Sequence, residues 1–150
     1  MPSVLPSTDA RIQQHSAPEA NARIREETLQ RLSLYERADS RLISARIAEL
    51  EREWDIERVL EANAATVALI GLALGATVNR RWFALPAVVA GFLLQHALQG
   101  WCPPLPIFRR FGVRTAAEIH EEIVALKALR GDFGPELGNS AEVAEKARLH

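Results

Sequence analysis

The chain has 150 residues, a formal net charge of −1, 48% hydrophobic residues and a single cysteine. The length fits one domain, the charge balance offers no basic excess for nucleic acid, and one cysteine excludes an internal disulfide framework. The averages hide a segregation, because residues 19–61 are dense in Arg and Glu whereas residues 62–79 carry no charge.

Residues 1–16 begin Met1-Pro2-Ser3-Val4-Leu5-Pro6 and have no basic stretch leading into an apolar core, so no cleavable leader is expected and the segment reads as disordered. Ser16-Ala17-Pro18-Glu19 has the form of a capping box with proline near the first helical position. From there to Glu61 there is neither Pro nor Gly, which predicts a charged helical arm over 17–61, as one helix or two abutting ones. Leu29, Leu32, Ile43, Ile47, Leu50 and Trp54 fall within one stripe, interrupted by Glu36 and Asp39. Such a stripe suits a coiled coil or an amphipathic helix lying on a membrane. Residues 19–61 hold 8 Arg and 11 acidic residues, a net of −3. Anionic headgroups repel that charge, which favours self-association or a cytoplasmic protein partner for the arm. The plainer alternative is a solvated helix laced with i,i+4 pairs.

Residues 62–101 predict a two-helix antiparallel hairpin across a bilayer. The first run, 62–78, is seventeen residues or about 25 Å of helix, enough to cross a hydrocarbon core of roughly 30 Å with local thinning. The second spans 82–101, with Trp82 and Trp101 about 28 Å apart as one interface anchor at each end. Pro86 lies in its first turns, where a missing N–H costs least. Asn79-Arg80-Arg81 is too short to allow anything but antiparallel neighbours. Gly71 and Gly75 on the first helix, and Ala87 and Gly91 on the second, are small-xxx-small pairs that let backbones approach, within the hairpin or between copies. Arg41, Arg46, Arg52, Arg58, Arg109, Arg110 and Arg114 flank the hairpin against only Arg80 and Arg81 in the loop, so both termini are expected in the cytoplasm.

Polar side chains at membrane depth suggest function by default. Gln95, Gln99 and Cys102 follow at i, i+4 and i+7, with His96 beside them, and Asn63 and Thr66 fall at the same depth on the first helix. These side chains either glue helices by hydrogen bonds or line a site for a small polar solute. Cys102 is a thiol candidate for persulfide chemistry or oxidant sensing if nearby arginines lower its pKa, and otherwise a small packed residue. No second Cys or His stands at ligand spacing, and no phosphate loop or nucleophile–base pair is present, so neither a metal, a cofactor nor an enzymatic activity is expected.

Cys102-Pro103-Pro104-Leu105-Pro106 must leave helical geometry. Thr115-Ala116-Ala117-Glu118 is a second capping box, opening a short amphipathic helix that carries Ile119, Ile123 and Leu126 and stops at Gly131. Residues 102–133 therefore form a Cys-Pro corner and a cytoplasmic helix, and 134–150 a polar tail.

Ile56-Glu57-Arg58-Val59, then Gly71, Gly91 to Leu94, and above all Gly100-Trp101-Cys102-Pro103-Pro104-Leu105, resemble the YgaP-like transmembrane domain family, as do Arg114 to Ile119 and Ala125 to Phe133. The resemblance implies a bacterial inner-membrane protein tied to sulfur metabolism, since that membrane domain often follows a rhodanese domain. Residues 1–55 are charged and contain no cysteine, so they cannot supply a rhodanese nucleophile. The expectation is an all-α, non-enzymatic membrane anchor or self-associating scaffold whose partners are the bilayer, a second copy and a cytoplasmic protein. The alternative is binding or passage of a small sulfur species through Cys102 and the polar cluster.

Overall fold

A computed structural model describes residues 11–133, which are all-helical with no strand among them. The polar tail expected at 134–150 lies outside the described residues, as do the first ten residues of the segment expected to be disordered. The remainder of that segment is ordered, with a short helix α1, Arg11–Gln14. Among the described residues the chain divides into two compact units, residues 11–17 with 56–113 and residues 18–55 with 114–133.

The first unit is built on two long apolar helices. Helix α4 runs Ile56–Thr77, beginning six residues before the uncharged run. The reason is propensity: Glu57, Arg58, Leu60 and Glu61 are good helix formers and extend the helix beyond its apolar part. Its 22 residues make about 33 Å. The link is Val78-Asn79 and a 3-10 turn, Arg80–Phe83, capped by the Asn79 side chain, which accepts from the Arg81 N–H at 2.9 Å. Helix α5, Ala84–Gln99, ends where Gly100 takes a left-handed conformation, φ 77°, and donates its N–H to the His96 carbonyl. Both α4 and the stretch Arg80–Gln99 are long and apolar enough to cross a membrane.

The contacts of the two helices run in opposite order. Gly75 faces Phe83, Gly71 faces Leu85 and Pro86, and Asn63 and Val67 share a cavity with Val89 and His96. Gly71 and Gly75 are thus spent within the pair, while Gly91 is exposed with open space where a side chain would begin. Below the helices, Ile12, Ile56, Leu60, Cys102 and Leu105 form a small core, joined by Trp101, Phe108 and Val113. Leu105 belongs to a short helix α6, Leu105–Arg110, that follows the Cys-Pro-Pro corner. Trp101 lies beyond the end of α5, which stops at Gln99, and is half-buried against this core. Trp82 is exposed.

The second unit replaces the expected arm. Helix α2, Pro18–Tyr35, and helix α3, Ser40–Leu50, are separated at residues 36–39, where Glu36 and Asp39 interrupt the stripe. Asp39 starts α3 by accepting from the Arg41 N–H, the local bond that makes Asp a helix beginner. Both helices pack on α7, Ala116–Arg130. Leu32, Ile43, Ile47 and Leu50 are buried with Ile119, Ile123, Ala125, Leu126 and Ala128. The stripe read as a coiled-coil face is therefore covered by α7 of the same chain. Leu29 and Trp54, its two ends, stay exposed.

The caps of α7 follow the sequence. The Thr115 hydroxyl accepts from the Glu118 N–H at 3.2 Å, and Glu118 Oε2 accepts from the Thr115 N–H at 2.8 Å. Gly131 ends the helix at φ 90°. The first capping box is different: the Ser16 hydroxyl donates to the Ile12 carbonyl at 2.6 Å, closing α1.

Candidate functional site

Three of the six polar side chains predicted to cluster do converge. Asn63, His96 and Cys102 line one cavity of about 180 Å³ between α4, α5 and the Cys-Pro corner. The rest of its wall is chiefly apolar, with Leu60, Val67, Phe92 and Leu93. The other three do not join. Thr66 is exposed and donates its hydroxyl to the Ala62 carbonyl of its own helix at 2.7 Å. Gln99 is exposed and Gln95 half-buried, and neither lines the cavity. Equal depth was legible from the hairpin's length, but the side of the helix was not. Residues 95 and 96 are about 100° apart around the axis, so only one of them can point at the partner helix.

His96 is 92% buried, being 8% exposed, and both ring nitrogens are buried without a hydrogen-bond partner. Its other side faces a second cavity lined by Arg11, Glu57, Glu61 and Ala97. Arg11 closes that region. Its guanidinium pairs with Glu57 at 2.5 Å and donates to the Ala97 carbonyl at 3.2 Å, in the last turn of α5 where carbonyls lack intrahelical partners. Its aliphatic stem crosses Gly100 so closely that a Cβ there would sit 2.8 Å away. Glycine at 100 is thus required both by the left-handed backbone and by the Arg11 stem. Sequence reading missed Arg11, because a four-residue helix shows too little periodicity to be read.

Cys102 is buried, and burial pushes its thiol pKa up, with the Leu105 backbone N–H partly offsetting this. The Arg109 guanidinium donates to the Val113 carbonyl at 3.0 Å. A buried thiol with a raised pKa stays protonated and unreactive at neutral pH. The expected result is that N-ethylmaleimide at pH 7 labels Cys102 at least about tenfold more slowly in the folded protein than in SDS. Equal rates in the two conditions would reverse this assignment.

A second constellation lies in the other unit. Glu122 on α7 is 1% exposed and accepts from Arg114, from Arg31 of α2 at 3.3 Å and from Arg46 of α3 at 3.1 Å. Arg114 also pairs with Glu53 at 2.5 Å, and Arg46 with Glu49 at 3.1 Å. Burial alone would raise the Glu122 pKa, but Arg114 and Arg31 outweigh it and hold the carboxyl below its ordinary value. Burial likewise works against Arg114, yet Glu53 and Glu122 raise its pKa. Three arginines meet three carboxylates, so this is a balanced brace rather than an open anion site. Among the described residues, no group of three or more His, Cys, Asp or Glu side chains converges as metal ligands would.

No protein family, curated protein or solved structure matches the chain. The YgaP-like resemblance therefore stands on the residues quoted above alone.

Proposed function

We propose that the chain is a membrane anchor: α4 and α5 cross the bilayer as a hairpin, and the helical unit of residues 18–55 and 114–133 stays on the cytoplasmic side. One observation carries the reading. Only 17% of the most apolar stretch of α4 and 6% of that of Arg80–Gln99 is buried within the protein. Leu69, Ile70, Val78, Val88, Leu94 and Leu98 all point outward. Core helices of soluble proteins hide such side chains, and a continuous apolar surface of this kind calls for a partner or for lipid. Backbone polarity is no obstacle, since a helix satisfies its own hydrogen bonds in hydrocarbon.

The bacterial inner membrane is the location that the arginine distribution and the family resemblance favour. The exposed Ala87/Gly91 edge supports pairing of two copies through close backbone contact. A cytoplasmic partner of residues 17–61 would meet Leu29, Leu34, Leu42 and Trp54, the apolar residues that α7 leaves uncovered. Any tie to sulfur metabolism rests on the resemblance. The buried, protonated thiol weighs against a thiolate sensor at Cys102, and the apolar cavity wall weighs against passage of a sulfur anion.

Topology decides the reading. In a Cys102→Ala background, a membrane-impermeant maleimide added to spheroplasts should label Arg81→Cys and spare Ser44→Cys until the membrane is opened. Alkaline carbonate should leave the chain in the membrane pellet. Release into the supernatant, or labelling of Ser44→Cys on intact spheroplasts, would overturn it.

A further inference from the structure

Between Trp82 and Val113 the chain holds no Asp or Glu, and α6 carries two arginines among apolar residues. Leu105 and Arg109, four residues apart, are fully buried. Leu105 packs with Ile56 and Leu60 of α4. Ile107 and Phe111, also four residues apart, fall on the opposite side, because successive residues turn about 100° around a helix axis. The Phe111 N–H donates to the Ile107 carbonyl at 3.2 Å, so the turn that aligns them is closed. Ile107 is 55% exposed and Phe111 80%, and leaving such side chains in water is unfavourable. Arg110 is exposed beside them. The packing also fixes the level of α6 along the hairpin. Leu60 and Ile56 precede Ala62, where the uncharged run begins, by about 3 and 9 Å of helix. The headgroup layer outside the hydrocarbon is about 5–7 Å thick on each side. An element packed on those two residues therefore lies in or next to that layer once α4 crosses the bilayer. Charge agrees with this level. At this end of the unit Arg11, Arg58, Arg109 and Arg110 outnumber Glu57 and Glu61, and anionic lipid attracts such an excess.

We propose that α6 is a lipid-binding element lying in the headgroup layer of the leaflet where both ends of the hairpin emerge, with Ile107 and Phe111 inserted among the acyl chains and Arg110 at the phosphates of anionic lipid. An apolar pair flanked by arginine is the composition of helices that lie in the interface plane, with the long basic side chain reaching back to the headgroups. So short a helix binds a membrane weakly by itself. Tethering to the hairpin makes the contact intramolecular and removes most of that cost. The proposal rests on the hairpin being membrane-inserted, because the hairpin sets the level at which α6 is held.

The test uses the full chain in vesicles of phosphatidylcholine and phosphatidylglycerol, with a nitroxide spin label on Ile107→Cys, Phe111→Cys or, as a mid-hairpin reference, Leu69→Cys, each in a Cys102→Ala background. Power saturation compares collisions with oxygen, which concentrates in lipid, against a water-soluble nickel complex. Oxygen should exceed nickel at 107 and 111 by at least about threefold, at a shallower depth than at 69. Phe111→Ser in the chain labelled at 107 should raise nickel collisions at least about twofold, since half of the apolar pair is gone. Unchanged collisions there would mean that the label itself seeks lipid, and would overturn the proposal. Leaving out phosphatidylglycerol should move both labels toward water, and an unchanged ratio would overturn the role given to Arg110. Nickel exceeding oxygen at 107 and 111 but not at 69 refutes the lipid contact and leaves the anchor reading intact. Nickel exceeding oxygen at 69 as well sinks the anchor reading itself. Exclusion of both reagents from 107 and 111 would show that protein covers the face, which also overturns the proposal, and dipolar broadening between labels would identify that protein as a second copy.

Discussion

Replacing Glu122 by alanine will strip the second unit of most of its stability while the hairpin remains folded. The carboxylate is the point at which α2, α3 and α7 meet, through Arg31, Arg46 and Arg114. Removing one partner of a buried ion pair costs about 3–5 kcal/mol, since the charges left behind stay out of water. The lower end applies here, because Arg114 keeps Glu53 and Arg46 keeps Glu49. Arg31 is 32% exposed, so Arg31→Ala should cost far less, about 1 kcal/mol or under. Hydrogen exchange by mass spectrometry is the direct readout. Amides of α2, α3 and α7 should lose protection in Glu122→Ala, and those of residues 56–99 should keep it. Undiminished protection in α7 would mean that the brace contributes nothing to folding.

The same carboxylate sets an acid limit. Its folded pKa lies below the ordinary value because the arginines favour the charged form. The unfolded chain therefore binds the proton first as pH falls, and the stabilisation is fully present above the ordinary glutamate pKa of about 4.3. It declines as pH drops from there and is gone below the depressed folded value. Exchange protection of the second unit should be flat between pH 5 and 7 and fall below about pH 4. In Glu122→Gln that acid step should shrink, while the protection at neutral pH is already lower.

What sequence reading reached follows from the range of the physics involved. Local signals carried well: the Thr115/Glu118 box and the Gly131 stop are set by bonds a few residues long, and both are present. The two apolar helices were legible because hydropathy over some twenty residues integrates into a strong signal, and both helices stand. The start at Ile56 was not legible, because charge marks where an apolar run ends and says nothing about where a helix ends. Folding of the charged segment back on α7 was hidden for a related reason. A stripe shows that a helix needs cover without showing what covers it, and the break at residues 36–39 was visible only as two misplaced acids. Glu122 reads as one more acid on a polar helix, since its three arginines lie 91, 76 and 8 residues away in sequence. In the cavity, depth was readable and direction was not, which is why Asn63, His96 and Cys102 meet while Gln95, Gln99 and Thr66 stay out.

The two small-residue pairs of the hairpin should part company under mutation. A Cβ at Gly71 would lie 2.7 Å from Cδ of Pro86 and 3.0 Å from Cβ of Leu85. Neither atom is the free end of a flexible chain, so the helices themselves must move apart. In lipid no hydrophobic drive holds them together, and close packing carries the association. Gly71→Ile should therefore destabilise the pair by the amount usual for overpacking, about 1–3 kcal/mol. At Gly75 the obstruction is the Phe83 ring at 2.8 Å, and that ring is exposed enough to swing away, so Gly75→Ala should be milder. Gly91 has no atom within 4 Å of an added Cβ. Gly91→Ile should leave the hairpin's own stability unchanged and instead lower the yield of crosslinked dimer in native membranes. Denaturation of micelle-bound protein by SDS, followed by circular dichroism, measures the first effect, and crosslinking measures the second. If Gly91→Ile shifts the SDS midpoint as far as Gly71→Ile does, the division between an inner and an outer small-residue face is wrong. If wild-type chain crosslinks only as monomer at every concentration, the outer face serves no second copy.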